Sequence, residues 1–191
     1  MNRGRPRSER VDGAVAAAVR DLLDEIGYQA LSIEKVAARA GVGKAGIYRR
    51  WRSKAEMVFE TAVHGPGIAP PADTGTLRGD LAALGERIVA LLSAPHARPA
   101  VPGLLADVAA DPALAGRFAS GFVDSERAVL GEILDRAERR GEAAGADPAF
   151  VHALLLGPVF AYLFLGGGDV PPPDLPARLA AAVAAALGVE E

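Results

Sequence analysis

No cysteine occurs among the 191 residues, which excludes disulfides, thiol nucleophiles and zinc–thiolate sites. Aromatic residues are scarce at 5 %, and period-two alternation is missing although half the chain is hydrophobic, so the expected class is all-α. Histidine occurs only at His64, His96 and His152, without HxxxH, HExxH or His–carboxylate spacing of metal type, so no metal site is expected. Gly-rich phosphate loops are also lacking, and Gly166-Gly167-Gly168 reads as the end of a helix. Asp107, Asp111 and Asp124 are explained by exposure and capping. Catalysis and cofactors are therefore not expected. The most apolar run, residues 153–165, is shorter than a bilayer span requires and contains Gly157-Pro158. The basic start leads into an amphipathic stretch with Asp12, Asp21, Asp24 and Glu25 instead of a signal peptide. A cytoplasmic protein without membrane association is the expectation.

Charge is present but unevenly placed. The formal net charge is −3, yet residues 1–54 carry twelve Lys/Arg against six Asp/Glu, and residues 55–191 carry nine against eighteen. A basic head on an acidic body points to a polyanionic partner for the head. Within it, residues 31–54, LSIEKVAARAGVGKAGIYRRWRSK, read as two short helices about a sharp turn. Ser32 is a good N-cap, Ile33, Val36, Ala37 and Ala40 share one face, and Gly41 supplies a left-handed C-cap. A second helix over residues 44–51 turns Ile47 and Trp51 inward and Lys44, Ala45, Gly46, Tyr48 and Arg49 outward, a surface suited to a major groove. Ser53 then opens another helix with a capping box.

These residues, namely Leu31-Ser32-Ile33, Val36-Ala37, Ala40-Gly41-Val42, Ile47-Tyr48, Trp51 and Ser53-Lys54, closely resemble the DNA-binding segment of the TetR/AcrR family of bacterial transcriptional regulators. The resemblance implies a dimer on a double-stranded operator. It assigns phosphate contacts to Ser32, Tyr48 and Lys54, base edges to Lys44, Ala45, Gly46 and Arg49, and the DNA backbone to Arg50. Two positions depart from the family pattern. Gly43 replaces a capping serine or threonine, and Gly46 stands where threonine is common. Arg3-Gly4-Arg5-Pro6 resembles the core of an AT-hook, which gives Arg3 and Arg5 a minor-groove role; a basic tail attracted diffusely to phosphate is the alternative.

Helical periodicity sets the remaining elements. A first helix over residues 8–26 buries Val11, Ala14, Val15, Ala18, Val19, Leu22, Leu23 and Ile26. The helix from Ser53 ends near His64, and residues 65–75, rich in glycine and proline, form a linker between a DNA-binding domain (1–64) and a ligand-binding and dimerisation domain (76–191). Helices are expected over 77–92, around 101–109, from Pro112 to Arg140 with a break near Gly116 or Gly121, over 148–165 with a kink at Pro158, and over 174–187, about nine in all. Glu132–Arg136 and Asp135–Arg139 are expected as surface ion pairs. The helices over 148–165 and 174–187 are expected to build the homodimer interface, with Ala180 and Ala184 permitting close contact. The body also resembles some family members over residues 136–142 and 156–158. Phe118, Phe122, Phe160, Tyr162 and Phe164 are candidate walls of a pocket for a small, mainly hydrophobic effector. The expected function is a ligand-responsive dimeric repressor; an effector-independent DNA-organising protein and an activator are the alternatives.

Overall fold

A computed structural model describes residues 5–64, 69–165 and 170–189, with side chains from residue 10 onward. Nine helices and no strand occur among the described residues. They are α1 (Arg5–Ala30), α2 (Ile33–Ala40), α3 (Lys44–Tyr48), α4 (Lys54–Val58, continued by a π turn Phe59–Val63), α5 (Leu77–Ser93) and α6 (Ala97–Ala110). α7 covers residues 112–140 as Pro112–Phe118, a π turn Ala119–Val123 and Asp124–Arg140. α8 is Pro148–Phe160 with a π turn Ala161–Leu165, and α9 is Leu175–Ala186.

The chain divides into two compact units. The first holds residues 1–67 together with 94–111, and the second holds 68–93 with 112–191. In the first unit α1 is the wall. Val15, Ala18, Val19, Leu22 and Leu23 are buried along one face, each large aliphatic chain contributing about 1.5–3 kcal/mol. Gly27 turns the backbone with φ 71°, which lets Tyr28 fold back into the core. Ile26, expected inside, is 38 % exposed, at the last position before that turn. α6 packs against α1 and α4 and so belongs to this unit, although the sequence places it with the body.

The second unit is built from α5, α7, α8 and α9, with α9 lying chiefly on α5. Gly85 and Pro176 let these two helices approach, since a Cβ on Gly85 would lie 3.3 Å from the proline ring. The expected break in α7 is a π turn at Ala119–Val123. There the Asp124 N–H donates to the Ala119 carbonyl, and the helix runs on through Gly121 to Arg140. Asp147 caps α8 by accepting from the Ala149 N–H at 2.9 Å, and Gly141 closes α7 with φ 77°.

Three expectations change here. Arg136 does not pair with Glu132 on the surface; its guanidinium donates to the Pro71 carbonyl at 3.2 and 3.3 Å and lies 4.0 Å from Asp80. Asp80 is wholly buried, accepts from the Thr74 N–H and hydroxyl at 2.8 Å, and receives Arg140 at 3.4 Å, so these charges fasten the segment before α5 to α7. Ala180 and Ala184 are buried within the unit and are not open to a partner; the exposed alanines of α9 are Ala177, Ala182, Ala185 and Ala186. Finally, residues 148–165 form an 18-residue span of mean hydropathy 1.8, long enough by composition to cross a membrane, and only 28 % of it is buried.

Candidate nucleic-acid interface

α2 and α3 meet across a turn in which Gly41 adopts φ 65° and the Val42 N–H donates to the Ala37 carbonyl at 3.0 Å. Ser32 caps α2, accepting from the Lys35 N–H at 3.3 Å. α3 is shorter than expected: the helix covers Lys44–Tyr48, and the chain turns at Arg49 and Arg50. Gly43 offers its N-terminus no side-chain cap, which is consistent with so short an element. Ile47 (0 % exposed) and Trp51 (5 %) anchor it, and the Trp51 indole N–H donates to Glu60 at 2.7 Å, tying α3 to the π turn of α4. Ser53 caps α4 through the Glu56 N–H at 3.1 Å, and the Glu56 carboxylate accepts from the Arg52 N–H at 2.7 Å.

With Ile47 and Trp51 inside, Lys44, Ala45, Tyr48 and Arg49 stand outside on one short element, and Tyr48 is 50 % exposed. Gly46 is half-buried, and a Cβ there would meet the Arg49 guanidinium at 3.7 Å. The cations differ in their commitments. Lys44 lies 3.1 Å from Glu34 on α2, an exposed pair that an approaching polyanion can open at little cost. The Lys44 ammonium also contributes to holding the Glu34 carboxyl below its usual range, after the backbone hydrogen bond that is the larger cause. Arg50 turns inward, donating to the Gly46 carbonyl at 3.1 Å and pairing with Asp12 of α1. Lys54 is three-quarters covered; its ammonium donates to the Tyr28 carbonyl at 3.3 Å, lies over the Tyr28 ring at 4.0 Å and is 3.7 Å from Asp107. Arg3 and the side chain of Arg5 lie outside the described residues. α1 already includes Arg5, Pro6 and Arg7, ahead of the start expected at residue 8.

The arrangement is a basic helix-turn-helix held on an α1 scaffold, with no group of three or more His, Asp or Glu able to hold a metal among the described residues. Residues 15–61 match the family model of bacterial regulatory proteins, tetR family, and residues 71–183 that of the tetracyclin repressor-like C-terminal domain. The chain belongs to the TetR family. An uncharacterized HTH-type transcriptional regulator of Mycobacterium tuberculosis is 40 % identical over 142 residues, covering 74 % of this chain and 69 % of its own. A DNA-binding transcriptional repressor TetR of Mycobacteroides abscessus is 31 % identical over 166 residues, 84 % of this chain and 86 % of its own. Among solved structures, a TetR family transcription regulator shares the fold with a TM-score of 0.70 at 24 % identity, covering 95 % and 99 % of the two chains. NalD of Pseudomonas aeruginosa, the secondary repressor of the MexAB-OprM multidrug efflux pump, does so with a TM-score of 0.58 at 23 % identity, over 94 % and 96 %.

As a TetR-family regulator the chain is a DNA-binding transcription factor and not an enzyme. Sequence reasoning missed three features of its head. Arg52 adds an exposed cation between α3 and α4. Glu34 and Asp107 place carboxylates against two of the assigned DNA contacts, Lys44 and Lys54. No local pattern pointed to either, because the partners are ten and fifty-three residues apart. Of the aromatic residues assigned to a pocket, Phe118 and Phe122 meet edge to face at 5.5 Å, Phe160 and Phe164 lie 5.0 Å apart, and Tyr162 is exposed. None of the five lines the groove of about 510 Å³ between Thr76, Arg78, Glu142 and the α9 alanines, or the smaller one at the α7–α8 loop.

Proposed function

We propose that this TetR-family chain is a dimeric repressor that leaves its operator when a small, mainly hydrophobic effector binds the body. The observation that carries the DNA-reading part is the outward set of Lys44, Ala45, Tyr48 and Arg49 over the buried Ile47–Trp51 anchor. Lys44 and Arg49 reach guanine edges, Ala45 meets a thymine methyl, and Ser32, Tyr48, Lys54 and Arg50 serve the phosphates, with Arg3 and Arg5 adding minor-groove contacts. Repression as the sign is supported by the relative from Mycobacteroides abscessus, named a DNA-binding transcriptional repressor.

Dimerisation is supported by α8. Phe150, Ala153, Gly157 and Ala161 are exposed along one side of an apolar helix, with Phe150 at 51 %, a surface that a second copy covers well. The DNA domain spans 1–64 with α6 packed on it, the rest of 76–191 is the ligand-binding and dimerisation body, and the protein works in the cytoplasm. Two recognition helices then lie one helical turn apart, ~34 Å, on a near-palindromic operator. An effector walled by Phe118, Phe122, Phe160, Tyr162 and Phe164 disfavours that spacing through a coupling of about 1–3 kcal/mol.

The test is a mobility-shift titration on DNA flanking the gene. A salt-sensitive, sequence-selective complex is expected, lost in Tyr48→Ala/Arg49→Ala with dimerisation intact. Equal affinity for unrelated DNA would falsify the operator reading. A screen of hydrophobic compounds for thermal stabilisation, followed by release of the DNA, tests the effector.

A further inference from the structure

α6 is fastened to the DNA-binding head at three places, all within one compact unit. At its start His96 Nδ1 lies 2.8 Å from Asp24 Oδ1 of α1. At its middle Gly103 presses its backbone on the Tyr28 ring so closely that a Cβ would come within 2.5 Å of the ring carbon. Further along, Asp107 accepts the Tyr28 hydroxyl on Oδ2 at 2.6 Å, and the same oxygen is 3.7 Å from the Lys54 ammonium. Burial first, and the Asp107 carboxylate next, push the Tyr28 hydroxyl well above its ordinary value, so it remains a donor and fixes the carboxylate beside the lysine. Lys54 is therefore held by a carbonyl, a ring face and a carboxylate, two of them from Tyr28 and the third from α6.

Lys54 is also the first residue of α4, the position given a phosphate contact in the proposed function, and this inference rests on that reading. One ammonium cannot be fully committed to two anions. We propose that Asp107 is an internal rival of the DNA phosphate for Lys54, so that α6 sets the phosphate affinity of the head on which it is packed. The salt dependence carries its signature. A free lysine that meets a phosphate releases a DNA counterion, giving a slope of about −0.9 per contact in log affinity against log salt. A lysine held on Asp107 makes no such contact, so its share of that release is missing. Any shift of α6 that withdraws Asp107 strengthens DNA binding, and any shift that presses it onto Lys54 weakens it.

The experiment titrates the full-length protein against a mixed-sequence duplex of about 30 base pairs, between about 50 and 200 mM salt, because the contact is sequence-independent. Asp107→Asn keeps an acceptor for the Tyr28 hydroxyl and removes the charge. It is expected to tighten binding roughly two- to five-fold, the range of a partly exposed ion pair, and to steepen the salt slope by about 0.9. In the Lys54→Met background the same substitution is expected to change neither. Asp107→Ser, with a hydroxyl acceptor, serves in its place if the asparagine variant melts early. Unchanged or weaker binding by Asp107→Asn overturns the rivalry, as does an equal gain in the Lys54→Met background, which would mark a general charge effect. If wild-type protein fails to bind the duplex, the interface itself falls. If it binds and Lys54→Met in the Asp107→Asn protein costs nothing, only the phosphate role of Lys54 falls, and the rivalry with it.

Discussion

His152, outside the DNA-binding head, is expected to contribute to the chain's response to acid. It is 8 % exposed on α8, and burial, aided by Arg127 and opposed by Glu126, holds its pKa below the ordinary histidine value. The unfolded chain then binds a proton at about pH 6.5 that the folded chain refuses. The stability tied to neutral His152 is therefore complete above that pH and is lost as pH falls through it toward the depressed folded value. A thermal midpoint that is flat from about pH 8 to 7 and declines from about 6.5 to 5 is expected in wild type, and a shallower decline in His152→Leu. Glu25 and Asp73 do not confuse this window. The Arg39 hydrogen bonds to Glu25, and the Gly75 N–H with Arg140 for Asp73, hold both carboxyls low, so their contribution persists until the pH drops below about 4. An equal decline in the two proteins would sink the assignment. Buried Ile47 and exposed Tyr48 were legible from the sequence, since helical period decides both. The burial of His152 and the pairing of Lys54 with Asp107 depend on other helices and were not.

Glycines separate what an element wants from what its neighbours allow. Alanine gains about 1 kcal/mol over glycine inside a helix. At Gly131 in α7 a Cβ meets nothing within 4 Å, so Gly131→Ala is expected to stabilise by about that amount. At Gly103 in α6 the Cβ would strike the Tyr28 ring, which Asp107 and Lys54 hold in place, and overpacking costs ~1–3 kcal/mol. Gly103→Ala is thus expected to lower the thermal midpoint of the head and to shift its DNA affinity, whereas Gly131→Ala does neither; calorimetry of both checks this. The element boundaries were read closely where caps mark them, at Ser32, Gly41, Ser53, Asp147 and Gly141. They were missed where geometry supplies the boundary, as in the early end of α3 at Tyr48.

For the whole molecule, the open apolar side of α8 is where the proposed dimer is tested. Phe150→Glu and Ala153→Arg place charge on that side without entering either unit's core, since both residues are exposed. In the proposed dimer they are expected to yield monomers by light scattering while the helix content stays as in wild type. Operator binding should then fall by two to three orders of magnitude, because the second half-site no longer adds its effective concentration. A dimer that survives both changes places the interface elsewhere. α9 cannot substitute through Ala180 and Ala184, which its packing on α5 has already buried.

Periodicity, caps and charge asymmetry are local quantities, and they sufficed to specify an all-helical chain and a basic helix-turn-helix with named inward and outward faces, while the resemblance of residues 31–54 pointed to the regulator family. Which helix a side chain meets is a long-range quantity. Only the tertiary structure could join α6 to the head and turn Arg136 inward to Pro71 and Asp80. It also set Asp107 against Lys54, because each of those choices depends on how segments dozens of residues apart are brought together.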